Sequence, residues 1–494
     1  MQANTIKMRI YLSKSKYLAG LQCPKLLWFN YNDKESIPEV DEAQQAIFDQ
    51  GQEAGNFAKK KHLGGIEVPM GSYEETTAKT ATLLKERKPL FEASFLHGQA
   101  YSRTDIVVPI GKDKWDIIEV KSSTEVKDIN IDDVAFQWYC AKGSGLKINK
   151  CFLMFINNEY KKQGDIDVNE LFKIEDITAL VKKKQASVKK NIVKMLKIIS
   201  MKKYPEIKIG AQCNDPYPCP LQDKCWGFLP KNNVTELYWM GKKAFELTDK
   251  KIYEITKIPQ SVTLSDKQQI QKKAITEQKT HIDKEKIAGF IKNLQYPLYF
   301  LDFETFNTAI PLFDGSKPYQ QIPFQFSLHV MDTPNGKIKH FEFLADSNED
   351  PRSELVLSLK AIKDKGTILA YNMSFEKRVL KDLALQFPRE AEWINEIIAR
   401  IDDLIIPFKN FWYYHPKQHG SCSIKYVLPA LTGKTYSGLE ISKGDQASRE
   451  YYRINFKECS KEDKEKTRKA LLTYCKQDTE AMVEIFNILS KETK

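Results

Sequence analysis

At 494 residues, 42% of them hydrophobic and 29% charged, the chain is too long for a single hydrophobic core and predicts two or three domains. No run of about 18 apolar residues occurs, which excludes a transmembrane helix, and the stretch Met1 to Tyr17 lacks the apolar region of a secretion signal, so the expected location is cytoplasmic. The net charge of +11, carried mostly by lysine, suits a polyanionic partner, although a lysine-rich surface is often only solvated.

In chain order, residues 11–29 and 41–62 show helical patterning. Residues 91–110 and 114–123 read as strands, the latter entered through a Gly111–Lys114 turn. A helix over 133–142, a strand over 150–157 and a basic helix over 181–203 follow. Residues 231–290 carry few strand signals and read as a helical linker. Apolar spacing around Gly241 loosely suggests a helix-hairpin-helix, whose turn amides would hold a phosphate. Strands are expected again at 296–306, 322–331, 339–345 and 366–372, then helices over 374–387 and 466–490. The pattern is that of an α/β protein, with domains at 1–230, 231–290 and 291–494.

Two carboxylate constellations stand out. Glu119 and Lys121 are two apart on a strand and share a face, and Asp105 lies on the preceding strand. Two carboxylates meeting in this way suit Mg²⁺ or Mn²⁺ with open positions for water and phosphate. Lys121 would orient water or offset developing charge, and Gln137 and Tyr139 on the next helix would position the group. Alone, a Glu-Val-Lys tripeptide is common on exposed strands.

The second constellation opens with Asp302 and Glu304, two apart on an apolar strand, where paired acids are costly unless they meet a cation or solvent. Glu376 follows at a strand-to-helix junction, and Tyr474 and Asp478 lie four apart on one helix face. Four acids and a tyrosine are the set needed for two-metal phosphodiester hydrolysis, with Tyr474 holding the attacking water. Taken singly, each acid reads as a surface or capping residue.

Of nine cysteines, Cys23 and the proline-flanked triplet Cys213, Cys219 and Cys225 form a set suited to a [4Fe–4S] cluster or structural Zn²⁺. In a reducing compartment they do not suggest disulfides. His415 and His419 read as loop or packing residues, and Phe411 to Tyr414 as an aromatic core strand rather than a base-stacking platform.

These motifs carry two resemblances. The run from Arg103-Thr-Asp through Glu119-Val-Lys to Gln137, framed by one cysteine before and three after, resembles the iron–sulfur branch of the PD-(D/E)XK (restriction-endonuclease-like) nucleases, shared by AddB-type recombination and CRISPR-adaptation enzymes. The resemblance spans about residues 10–230. It implies catalysis by Asp105, Glu119, Lys121 and Gln137, and a cluster on the four cysteines. Two departures are visible. Gly55 stands where that family often has a histidine, with Glu53, Glu92 or His62 as possible substitutes, and Tyr139 is only two residues after Gln137.

Residues 295–494 resemble the tyrosine subtype of the DEDD 3′–5′ exonucleases, of ribonuclease H-like fold, with Glu376 where those usually carry Asp. The fusion of the two is similar to a bacterial family of uncharacterised proteins. That family implies the architecture and no substrate; the leading expectation is a metal-dependent nuclease acting on DNA in repair, recombination or defence, with residues around 182–203 following the phosphate backbone. An RNA 3′–5′ exonuclease and a non-catalytic nucleic-acid-binding scaffold are the alternatives.

Overall fold

The computed structural model describes residues 10–493. It is a mixed α/β protein with two mixed β-sheets and many helices. The chain divides into two compact units, one built from residues up to Phe228 together with Thr308–Tyr319, the other from Leu229–Asn307 and Gln320 onward. Residues 231–290 thus belong to the second unit. Among the described residues no helix is long and apolar enough to cross a membrane.

In the first unit a seven-stranded sheet runs in the order Ile66–Glu67, Leu90–His97, Ala100–Ile110, Lys114–Lys121, Ile148–Ile156 and Phe172–Asp176, with Leu12–Ser13 paired beside Ala100–Ile110. The strands from Leu90 to Lys121 form an antiparallel meander, and Ile148–Ile156 runs parallel to Lys114–Lys121. Both sheet faces are covered. Ile117 packs with Val134 and Phe136 of helix Asp128–Gly143 and with Val188 of helix Thr178–Ile199. On the other face Ile106 and Ile118 pack with Ala54 and Ala58 of helix Glu42–Lys59. Central strands buried on both faces are accordingly apolar, which makes their few polar side chains conspicuous.

Ile310, from the returning segment Thr308–Tyr319, joins that second apolar cluster. The same segment gives the Ala309 amide to Gln50 Oε1 at 3.1 Å, and the Tyr319 hydroxyl donates to the Ser122 carbonyl.

The second unit holds a five-stranded sheet in the order Ile338–Leu344, Ile322–Met331, Leu298–Phe306, Ile368–Ala370 and Ile401–Asp403. The first three are antiparallel and the last two parallel to Leu298–Phe306. The helix Lys461–Glu492 lies against it, burying Leu471, Tyr474, Cys475, Asp478, Met482 and Phe486. That three-to-four spacing is one continuous helical face. The Ser460 side chain accepts from the Asp463 amide, and Glu462 and Asp463 complement the positive end of the helix.

The expected 181–203 helix spans Thr178–Ile199. Gly241, at φ 57°, opens the eight-residue helix Lys242–Asp249, but the next α-helix starts only at Asp266. The aromatic run is a two-residue strand, Tyr413–Tyr414, paired with His281–Ile282.

Candidate functional sites

In the first unit, Asp105 and Glu119 come from the paired strands Ala100–Ile110 and Lys114–Lys121. Asp105 Oδ2 accepts from the Val120 amide at 2.8 Å. Glu119 is 1% exposed and fully engaged. Lys121 and Lys14 donate to its Oε1 at 2.6 and 2.8 Å, and Gln137 donates to its Oε2 at 2.6 Å. Asp133, one helical turn before Gln137, closes the network, accepting from Lys121 at 2.7 Å and Gln137 at 2.8 Å. Tyr139 packs its ring on His97 instead.

Burial, then the charges of Asp105 and Asp133, push the Glu119 carboxyl up to about 7 against the pull of the two lysines. Burial would raise Asp133 as well, but Lys121 and Lys14 outweigh it and hold that carboxyl well below its usual range. Burial opposes the charge on Lys14 and Lys121, yet the surrounding acids keep both firmly protonated.

A cavity of about 300 Å³ opens beside this network, lined in part by Lys14, Asp105, Glu119 and Lys121. Gly51 and Gly55, one turn apart on helix Glu42–Lys59, form part of its wall. A Cβ at Gly55 would meet nothing within 4 Å. Glu92 also lines the cavity. It sits at φ 57° between the paired positions Phe91–Ile106 and Ala93–Thr104, whose register runs on unbroken. Its carboxylate pairs with Lys59 and Arg103. His62 and Glu53 do not line the cavity.

Cys23 joins Cys213, Cys219 and Cys225 around a second, smaller hollow. Cys23 lies between two helices, Lys14–Gln22 and Pro24–Asn32. The triplet is folded by local bonds, the Cys219 amide to the Cys213 carbonyl at 2.8 Å and the Cys225 amide to the Leu221 carbonyl at 2.9 Å. All four are free thiols, and the donor set fits a thiolate-bound metal or cluster.

In the second unit, strand Leu298–Phe306 presents Asp302 and Glu304, helix Ser374–Gln386 presents Glu376 from its first turn, and helix Lys461–Glu492 presents Tyr474 and Asp478. The structure brings these five together. Burial and mutual repulsion drive Asp302 and Glu304 well above the carboxylate range, with Asp478 the strongest charged neighbour of both. Burial takes Glu376 up to about 8. It takes Asp478 up to about 6, against a 2.6 Å hydrogen bond from the Tyr436 hydroxyl. Glu376 is 2% exposed and its Oε2 has no hydrogen-bond partner.

Lys425 is the cation at this centre, its Nζ 3.4 Å from the Tyr474 hydroxyl and 2.8 Å from the Ser442 carbonyl. Gly444 borders the centre, where a Cβ would stand in ordinary contact, 3.5 Å from Glu304 Oε2. Asp403 accepts from the amides of Asn372 and Met373 at 2.9 and 3.2 Å. It thereby fixes the turn, with Asn372 at φ 74°, that launches the Glu376 helix. The histidines lie elsewhere. His415 Nδ1 accepts from the Lys417 amide, and His419 pairs with Glu236 at 2.8 Å.

The family model for a domain of unknown function, DUF2779, matches residues 299–423. That span includes Asp302, Glu304 and Glu376 but stops short of Tyr474 and Asp478. The chain is 30% identical over 221 residues to the uncharacterized protein MG366 homolog of Mycoplasma pneumoniae, covering 40% of this chain and 33% of that protein. It is 33% identical over 155 residues to the uncharacterized protein UU173 of Ureaplasma parvum, covering 29% of this chain and 22% of the relative. To the uncharacterized protein MG366 of Mycoplasma genitalium it is 28% identical over 207 residues, 38% and 31% of the two chains. The matches thus span a third or less of each relative's length.

Proposed function

We propose that this chain is a metal-dependent nuclease that hydrolyses phosphodiester bonds at the Asp302 centre, trimming DNA from 3′ ends. One observation carries the reading: four carboxyl groups are gathered at one place, Glu304, Glu376 and Asp478 buried and Asp302 partly so, and Glu376 keeps an oxygen without a partner. Gathering acids out of water is costly unless a cation joins them. Mg²⁺ or Mn²⁺ fits this donor set and, when bound, supplies an acidified water and offsets transition-state charge. The protein's own part is positional. Tyr474 orients the attacking water with Lys425 beside its hydroxyl, and Tyr436 steadies Asp478. Three antiparallel strands continued by two parallel ones, with a long helix against them, support reading this unit as ribonuclease H-like.

The Asp105 centre is read as a PD-(D/E)XK site, supported by its strand meander and the Gln137 helix, with the four cysteines holding a [4Fe–4S] cluster or Zn²⁺. Its Glu119 is already neutralised by Lys14 and Lys121. A cation there competes with two lysines, whereas the Asp302 centre has an unmet need for one.

The test incubates anaerobically purified protein with 3′- and 5′-labelled single-stranded DNA and matched RNA in Mn²⁺, beside the Asp302→Asn and Lys121→Ala forms. Loss of stepwise 3′ trimming of DNA in Asp302→Asn alone is the expected result. Loss in Lys121→Ala alone moves the chemistry to the first centre, and preference for RNA replaces the substrate. Wild-type protein inert on both strands sinks the nuclease reading.

A further inference from the structure

Cys475 is the residue after Tyr474 on helix Lys461–Glu492, and it faces the carboxylates. Its thiol is fully buried, with Sγ 3.7 Å from Asp302 Oδ2 and 3.9 Å from the Asp302 carbonyl. One ligand atom from each of Asp302, Glu304 and Cys475 lies within 4.8 Å of the others. Two ligands on one tetrahedral ion, with sulfur at about 2.3 Å and oxygen at about 2.0 Å, sit about 3.5 Å apart. The Asp302–Cys475 spacing is therefore close to that of two groups sharing a cation. Independently, the buried Glu376, whose charge adds to the repulsion on Asp302 and Glu304, offers its unpartnered Oε2.

From this geometry we propose that Cys475 is a metal ligand of the Asp302 centre, and that the centre prefers a borderline-soft divalent ion of the Zn²⁺ or Co²⁺ class to Mg²⁺. The inference rests on reading this centre as cation-binding. A hard ion such as Mg²⁺ takes oxygen donors and gains little from sulfur, while thiolate favours softer ions. The thiol releases its proton to solvent as its sulfur bonds the ion. In this arrangement Asp302 and Glu304 supply charge, and Cys475 supplies selectivity.

The experiment titrates Co²⁺ into the anaerobically purified full chain and into its Cys475→Ser, Cys475→Ala and Asp302→Asn forms. The readouts are the near-ultraviolet sulfur-to-cobalt charge-transfer band, taken as the wild-type-minus-variant difference so that the other thiols cancel, and calorimetric affinities for Co²⁺ and Mg²⁺. A difference band at one sulfur per protein is expected with both cysteine variants. So is a loss of Co²⁺ affinity of at least about tenfold, a scale that even outlying partners of a metal reach, with Mg²⁺ affinity unchanged. Identical spectra and affinities in wild type and both cysteine variants, with one bound Co²⁺ per protein lost in Asp302→Asn, overturn the ligand assignment and leave the cation site standing. Co²⁺ binding that is indifferent to Asp302→Asn removes the cation site as well. The alanine form keeps the test decisive should the serine be poorly tolerated in a buried position.

Discussion

Glu376 is the residue at which stability and chemistry are set most directly against each other. Its buried oxygen lacks a partner, so Glu376→Gln relieves the cation-free protein of an unmet carboxyl. The expected outcome is a urea midpoint at or above that of wild type, together with a fall in Mn²⁺-dependent trimming of about 10²-fold or more. A clear loss of stability would instead mark Glu376 as a structural residue. Lys14 makes the opposite case. It pairs with Glu119 at 2.8 Å and Asp133 at 3.5 Å while its side chain is about a quarter exposed. Lys14→Met leaves two buried acids sharing Lys121 and should cost about 1–3 kcal/mol, less than a fully buried pair would; denaturant melts of the two forms check it.

What could be read from sequence divides along the same line. Asp302 with Glu304, and Tyr474 with Asp478, announce themselves through the two- and four-residue periods of strand and helix. Asp133 carries a comparable signal, four residues before Gln137 on one helix. Lys14, Tyr436, Lys425 and Cys475 reach their centres only through tertiary packing, so no local spacing marks them. Asp403 acts through backbone amides, which leave no trace in residue type.

At the scale of elements, two glycines in the middle of helix Glu42–Lys59 weaken it and leave its face bare beside the cavity. Gly55→Ala meets no atom within 4 Å and should stabilise the first unit by up to about 1 kcal/mol, read as a shift in its melting temperature. A drop in stability would mean the glycine is needed for helix approach. Across the second sheet, His329 and His340 are directly paired in register and stacked at 4.4 Å. His329 Nδ1 shares a 2.8 Å hydrogen bond with Thr479, while Lys476 and Glu480 of the same helix also face the pair.

Burial, then His340 and Lys476, lower His329 from 6.5 to about 4. The folded protein therefore binds fewer protons than the unfolded chain between those values, and stability falls as pH drops through that window. The penalty from His329 reaches up to about 3 kcal/mol. Glu480, 3.9 Å away, opposes it. His329→Gln should flatten the acid limb of the stability profile between pH 6.5 and 4, and an unchanged limb would assign acid sensitivity elsewhere. The strands that carry this pair were legible as apolar runs. The left-handed backbone at Glu92 was not, because a non-glycine residue rarely adopts it and residue type does not mark it.

For the whole molecule, the two-segment make-up of the first unit matters most. Thr308–Tyr319 supplies buried Ile310 and a hydroxyl bonded to the Ser122 carbonyl, immediately after Lys121. Replacing that segment with a Gly/Ser linker of equal length should speed amide exchange along strand Lys114–Lys121. Unaltered exchange would show that the segment only rests on the surface.

The same feature has a temporal side. A ribosome making this chain releases the bulk of the first unit by Phe228, but its last piece follows about 90 residues later. At ordinary elongation rates that is a delay on the order of 5–20 s. Throughout it the strand bearing Glu119 and Lys121 lacks its final support, so the nascent first unit waits, partly finished, for its own last segment to be synthesised.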